Sequence, residues 1–274
     1  MMLIDTHCHL NLKPFVGIVN EIVESAFKKG VKEIVIPGTD ISTSKKAVEL
    51  ASKFPNVYAT VGIHPHHVYE LRDKSYELGE IEKLLSRKKV VGVGEVGLDK
   101  YEYKKTKYSD YQVTDDFINL QKELLITQIK LAIKYKKALV LHNREATPEL
   151  LDVLEKHWHP VLTYKTVFHC CEANELLLEF ATKYHIYIGI DGDITWSKRK
   201  QRFIKQVPLK QLVLETDSPF LTPEPVRQTK EYPNVPANLI FIVKAIAAIK
   251  NTPLENVTRQ TTTNAQKLFS LTYS

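Results

Sequence analysis

The 274-residue sequence predicts an α/β protein built as one TIM-type (β/α)8 barrel, a single domain covering residues 1–274. Three observations predict it. Eight short apolar runs rich in β-formers alternate with longer amphipathic stretches. No Gly/Ser-rich linker, low-complexity tract or internal repeat marks a second core. Polar, histidine-rich residues follow the strand runs, as they do where a parallel barrel builds its site. The composition, 43% hydrophobic and 26% charged, suffices for a sizeable core. A doubly wound open sheet would want a glycine-rich loop after its first strand, and this chain has His-Cys-His there.

The first strand is LI at 3–4, leading into DTHCH at 5–9. VGIVNEIVESAFKKG at 16–30 repeats apolar residues at helical spacing. EIVI at 33–36 and VYATV at 57–61 give strands two and three, the latter running into GIHPHH. VVGV at 90–93 is strand four, ending in GEVGLD, and NLQKELLITQIKLAIKY at 119–135 is again helical. ALVL at 138–141 is strand five, ending in HNRE. Thr147-Pro148 then supplies an N-cap and a first-turn proline. TVF at 166–168, IYIGI at 186–190 and LVL at 212–214 complete the eight, followed by His169, Asp191 and Glu215-Thr-Asp217.

Seven of the ten histidines fall in these post-strand segments; His157, His159 and His185 lie in or beside helical stretches. Such clustering points to chemistry at the C-terminal face. Residues i and i+2 of a strand share a face, so His7 and His9 both face the barrel mouth while Cys8 points away. Together with Glu95, His142, His169 and Asp217 they form a six-member N/O donor set. That number suggests two metals with Glu95 bridging.

Cys8, Cys170 and Cys171 form no disulfide framework and no C-x-x-C pair, which favours a reducing compartment and disfavours structural zinc. Neither a membrane span nor a signal peptide is read from the sequence, and a cytoplasmic protein is expected. The net charge of +6 permits a phosphate-rich partner. Basic clusters at 87–89, 104–105 and 197–202 read singly as solvated surface, with extension of a phosphate track as the alternative for the 197–202 run.

In order, DTHCHL, GIHPH, GEVGLD, LHNREA, FHC, IGIDG, LETDSPFL and TTTNAQKLF resemble the TatD family of metal-dependent deoxyribonucleases, amidohydrolase-like barrels, over essentially the whole chain. The resemblance implies a distorted barrel in which His7, His9 and Asp217 hold one divalent metal. His142 and His169 hold a second, and Glu95 is shared. It implies hydrolysis of phosphodiester bonds, with 3′–5′ exonuclease action on single-stranded DNA favoured. Activated water would be the nucleophile and Asp217 the general base. The metal is Mg²⁺, Mn²⁺ or Zn²⁺, which these donors do not distinguish. Two segments depart from the family pattern. Cys170-Cys171-Glu172-Ala173 replaces Cys-Phe-(Thr/Ser)-Gly and sets a carboxylate near the phosphate path. Pro233-Asn234-Val235-Pro236 lacks the Arg and Glu of Arg-Asn-Glu-Pro.

Around this set, Arg144 lies two residues past His142 and is placed to clamp a phosphate, an Arg–Glu brace being the alternative. His64 and His66 share a face by alternation and are candidate phosphate contacts; His67 reads as plain surface. Asp5 is either an acceptor orienting a metal histidine or a core hydrogen-bond partner. Tyrosines and lysines at 101–111 suit base stacking on single strands or an incidental loop, and Trp196 reads as packing. The expected partner is nucleic acid, DNA with RNA not distinguished. No membrane is expected, and the chain is taken as a monomer. A metal-dependent ester hydrolase acting on aminoacyl-tRNA is the rival reading, and a non-catalytic nucleic-acid-binding scaffold a more distant one.

Overall fold

The computed structural model describes residues 2–71, 74–106, 108 and 111–271. Its eight strands are β1 (Leu3–Asp5), β2 (Val31–Pro37), β3 (Val57–Val61), β4 (Val90–Asp99), β5 (Ala138–Arg144), β6 (Thr166–Phe168), β7 (Tyr187–Ile190) and β8 (Leu212–Leu214). They pair in parallel and in chain order, β1 to β8. At the seam, Thr6 N–H donates to Leu214 O at 3.0 Å and Asp217 N–H to His7 O at 2.9 Å. The barrel is therefore nearly closed, and its seam is made largely by residues just beyond β1 and β8. The TIM-type single domain expected from the sequence is observed.

Helices α1 (Val19–Lys28), α2 (Ile41–Lys53), α3 (Lys74–Leu85), α4 (Asp115–Tyr135), α5 (Thr147–His157), α6 (Glu175–Tyr184), α7 (Lys198–Gln206) and α8 (Leu239–Lys250) accompany the strands. Strand alternation divides the core in two. Leu3, Ile34, Ile36, Leu139, Leu141 and Phe168 face outward and pack with helix residues such as Val23, Ala47, Ile81 and Leu150. Their neighbours Ile4, Val35, Val140, Val167 and Val213 face inward, where α9 (Leu254–Phe269) closes the barrel floor with Ala265, Leu268 and Phe269. Asn264 fixes that plug by donating to Leu209 O at 3.0 Å and Leu212 O at 2.7 Å. The TTTNAQKLF segment is thus a structural lock, remote from the strands' C-terminal ends.

Four local expectations need correction. Strand β5 does not end at Leu141 but continues to Arg144. Strand β4 does not end at Val93 but continues to Asp99. Its register against β5 steps from Val93↔Leu139 to Val96↔Leu141, three residues opposite two. This is a bulge, and it re-aims Glu95 into the barrel. Strand β7 begins at Tyr187, one residue later than read. Thr147 is the first helical residue of α5 rather than its cap, which is Ala146. The Thr147 hydroxyl instead accepts from Asn143 Nδ2 at 3.0 Å and Asn174 Nδ2 at 3.3 Å. Among the described residues no single helix is long and apolar enough to cross a membrane.

Candidate metal centre

Past Asp5 the chain leaves the strand, and His7 and His9 turn their rings to one point while Cys8 is buried in the outer core. The Asp5 carboxylate anchors this turn. It accepts from His7 N–H at 3.3 Å, and from Thr216 N–H and hydroxyl at 3.0 and 2.6 Å. It therefore holds backbone, not a histidine ring. Burial pushes Asp5 up to about 8, against the hydrogen bonds from Thr216 and His7.

Glu95 lies at the middle of the centre, 4% exposed. Its Oε2 stands 3.4 Å from His7 Nε2 and 3.6 Å from His9 Nε2. Its Oε1 faces the other way, 3.0 Å from His142 Nδ1, 3.1 Å from His169 Nε2 and 3.4 Å from His64 Nε2. Asp217 Oδ1 completes the first group at 3.7 Å from His7 Nε2 and 3.4 Å from His9 Nε2. Asp217 adopts a left-handed backbone, φ 50°, a strained conformation for a non-glycine residue. All six residues read as metal ligands thus converge, with His64 beside them.

The chemistry of this donor set fits divalent cations. His7 Nε2 and His9 Nε2 are only 3.2 Å apart, while the Nδ1 atoms of both rings are buried without a partner. Lone pairs and carboxylate oxygens aimed at one another are stable only around shared positive charge. Two groups of donors close enough for an ion, His7–His9–Glu95 and His64–Glu95–His142, share the one carboxylate. A third, His7–His169–Glu215, lies deeper.

Electrostatics separate the imidazoles. Burial, reinforced by the charge of His169, lowers His7; burial and His142 bring His64 down to about 4. Burial also opposes a charged His142, but hydrogen bonds to Asp99 and Glu95 outweigh it and raise the ring to about 9. His169 is raised well above the ordinary range because the charges of Glu95 and Glu215 overcome its burial. Glu95 falls well below the carboxylate range: burial resists, but the surrounding imidazoles win. The centre is thus an electronegative pit that holds positive charge.

Sequence reading assigned no role to three supporting groups. Asp99 Oδ2 lies 3.2 Å from His142 Nε2, so it accepts that proton and fixes the ring with Nδ1 turned toward Glu95. Asp99 is fully buried and held near pKa 2, burial being outweighed by His142 and Tyr103. Glu215 accepts from the Cys170 backbone N–H and lies 3.4 Å from His169 Nδ1. Lys200 is buried between Asp191 (2.9 Å) and Asp193 (2.8 Å), so the basic run at 197–202 loses one cation from any phosphate track. Carboxylates at 99 and 215 occur in the quoted motifs, which was the available signal; Lys200 gave none.

The other candidates separate. A cavity of about 1110 Å³ opens above the centre, lined by His64, His66, Arg144, Glu172 and Phe220 among others. A 3-10 turn at Pro65–Glu70 breaks the alternation. His64 therefore joins Glu95, whereas His66 Nε2 contacts Thr106 Oγ1 at 2.9 Å. His67 is half-buried and bonds Tyr108 OH at 3.0 Å, correcting its reading as surface. Among the described residues Arg144 forms no Arg–Glu brace: its guanidinium lies 3.9 Å over the Tyr101 ring, and Nη1 donates to Tyr103 OH at 3.1 Å. Trp196 is 38% exposed beneath Arg227 rather than packed in the core. Of the 101–111 segment, Lys107, Ser109 and Asp110 lie outside the described residues.

An eight-stranded barrel with a histidine–carboxylate centre at its C-terminal mouth defines a metal-dependent hydrolase barrel. The TatD-related DNase family model matches residues 4–270, and the chain belongs to the TatD family. It is 30% identical to YabD of Bacillus subtilis, named a metal-dependent hydrolase and itself uncharacterized, over 98% of this chain and 100% of that one. A Mus musculus relative named as a candidate deoxyribonuclease is 28% identical over 97% of this chain and 88% of its own. The crystal structure of YjjV, a TatD homologue from Escherichia coli K12, superposes with a TM-score of 0.85 at 27% identity, covering 98% of each chain.

Proposed function

We propose that this chain is a divalent-metal-dependent deoxyribonuclease acting on single-stranded DNA, with 3′–5′ exonuclease action favoured. The observation that carries the reading is Glu95, whose two oxygens face two separate imidazole groups. Bound there, a pair of divalent cations would supply water of lowered pKa and offset charge growing on the phosphate. His7, His9 and Asp217 would hold one and His142 and His169 the other, with Glu95 common to both. Asp217 turns Oδ1 toward the histidines, leaving Oδ2 to take the proton of the attacking water. Arg144 faces the same cavity and receives a phosphate oxygen, and His64 lies where it can hydrogen-bond another. Phe220, 49% exposed at the rim, offers a base a stacking face. The family description supports the same substrate class.

A second reading, hydrolysis of an aminoacyl ester on tRNA, draws on Glu172. Its carboxylate lines the cavity, held by Asn143 Nδ2 at 2.8 Å and Glu145 N–H at 3.3 Å, and would suit a substrate ammonium. End-labelled single-stranded and duplex DNA, incubated with metal-stripped protein plus Mg²⁺, Mn²⁺ or Zn²⁺, separates the two. Metal-dependent shortening that falls about 10²–10⁴-fold in Asp217→Asn is expected. Intact DNA under every metal, with aminoacyl-tRNA deacylated, would establish the second reading instead.

A further inference from the structure

We infer that Tyr103 is the positioning residue for the substrate phosphate: its hydroxyl ties the Arg144 guanidinium to the Asp99–His142 side of the centre. The inference rests on the nucleic-acid reading above for the identity of the bound anion. Tyr103 lies on the connection after β4, in a segment whose tyrosines suggested base stacking. In the fold its oxygen is already engaged. It donates to Asp99 Oδ2 at 2.7 Å and accepts from Arg144 Nη1 at 3.1 Å. The same Oδ2 meets His142 Nε2 at 3.2 Å, and His142 Nδ1 meets Glu95 Oε1 at 3.0 Å. One unbroken path of hydrogen bonds thus runs from the guanidinium to the bridging carboxylate.

The path starts from a fixed point. Asp99 receives the Tyr101 N–H at 2.9 Å on Oδ1, and its backbone is clamped by Gln121 through bonds of 2.8 and 2.9 Å. A hydroxyl anchored to that carboxylate is a stationary acceptor. Burial and the Asp99 charge keep the phenol protonated, so it continues to donate. A free arginine side chain has rotamer freedom that binding must remove. Here the Tyr101 ring beneath the guanidinium and the Tyr103 oxygen beside it have already removed part of that freedom. The remaining N–H donors stay available to an oxyanion in the cavity that both Arg144 and Tyr103 line.

Tyr103→Phe deletes the single oxygen and keeps the ring. The test is binding of a fluorescein-labelled single-stranded oligodeoxynucleotide to the full-length, metal-free protein, followed by anisotropy, in wild type, Tyr103→Phe, Arg144→Met and the double variant. The metal-loaded proteins give KM and kcat in parallel. Loss of one charged hydrogen bond is expected to weaken binding and raise KM about tenfold, with kcat changed less than about threefold. In the Arg144→Met background the same substitution should add less than about twofold, because its effect passes through that guanidinium. Unchanged binding in Tyr103→Phe, a full loss persisting without Arg144, or no binding by wild type would each overturn the inference. Wild type that binds the oligonucleotide yet cleaves none of it would sink the nuclease reading and leave this cycle decisive.

Discussion

Asp99 shows how a side chain four residues past Glu95 shapes the centre. By accepting the His142 Nε2 proton it fixes which nitrogen points at Glu95. Replacing it with Asn should weaken divalent-metal affinity about 10–100-fold while leaving the fold intact, as calorimetric titration with Mn²⁺ would read. The convergence of the six donor residues was legible because their places after the strand runs and the family motifs both point to them. Asp99 was not, because its role depends on β4 continuing past Val93, which the glycine-rich GEVGLD segment conceals. His67 was misjudged for a related reason: a 3-10 turn after Pro65 replaces the extended backbone that alternation assumes. Arg144 was placed on the correct side by alternation, but its tyrosine partners come from a loop that periodicity does not describe.

At the scale of elements, the β4–β5 pair carries most of the site's geometry. Gly97 lies where β4 comes closest to His142: a Cβ there would stand 1.9 Å from the His142 carbonyl oxygen. Gly97→Ala should therefore push the strands apart and cost roughly 3 kcal/mol or more, seen as a lowered Tm together with weakened metal binding. The β7–α7 junction makes a different prediction. Asp191 and Asp193 share the single cation Lys200, so one carboxylate ionises readily and the other resists. Burial and the Asp191 charge lift Asp193 to about 7, far above its ordinary value. A folded-state pKa raised this way means the folded protein binds the proton more tightly than the unfolded chain. The stability it contributes is full below about pH 4 and is lost as pH rises through about 7. Asp193→Asn should escape that loss, so its urea midpoint should gain on the wild type across this interval. A constant difference at all pH values would show that Asp193 does not titrate there. Elements of this kind were readable in kind but not in extent: all eight strands were located, while β4 and β5 were cut short and Thr147 was taken for a cap.

For the whole molecule, the barrel brings residues from nearly every part of the chain to one mouth. His7 and Asp217 are joined by a backbone bond across the β1–β8 seam, so closing the barrel and assembling the centre are one event. The floor is sealed separately by α9, which leaves the upper loops free to differ, as the 170–173 and 233–236 segments do. The fold was legible because alternation of strand and helix is a property of the entire sequence. The cavity's loop walls were less so, since contacts such as Tyr103 to Arg144 depend on chain paths rather than on period. The proposed hydrolase stands on Glu95 joining two cation sites in one centre. Calorimetric titration of the metal-stripped protein with Mn²⁺, beside Glu95→Gln, is the decisive measurement. About two equivalents bound by wild type, and weakening at both sites in the variant, are expected because one carboxylate serves both. A single equivalent in wild type, or a variant that binds as wild type does, would contradict it.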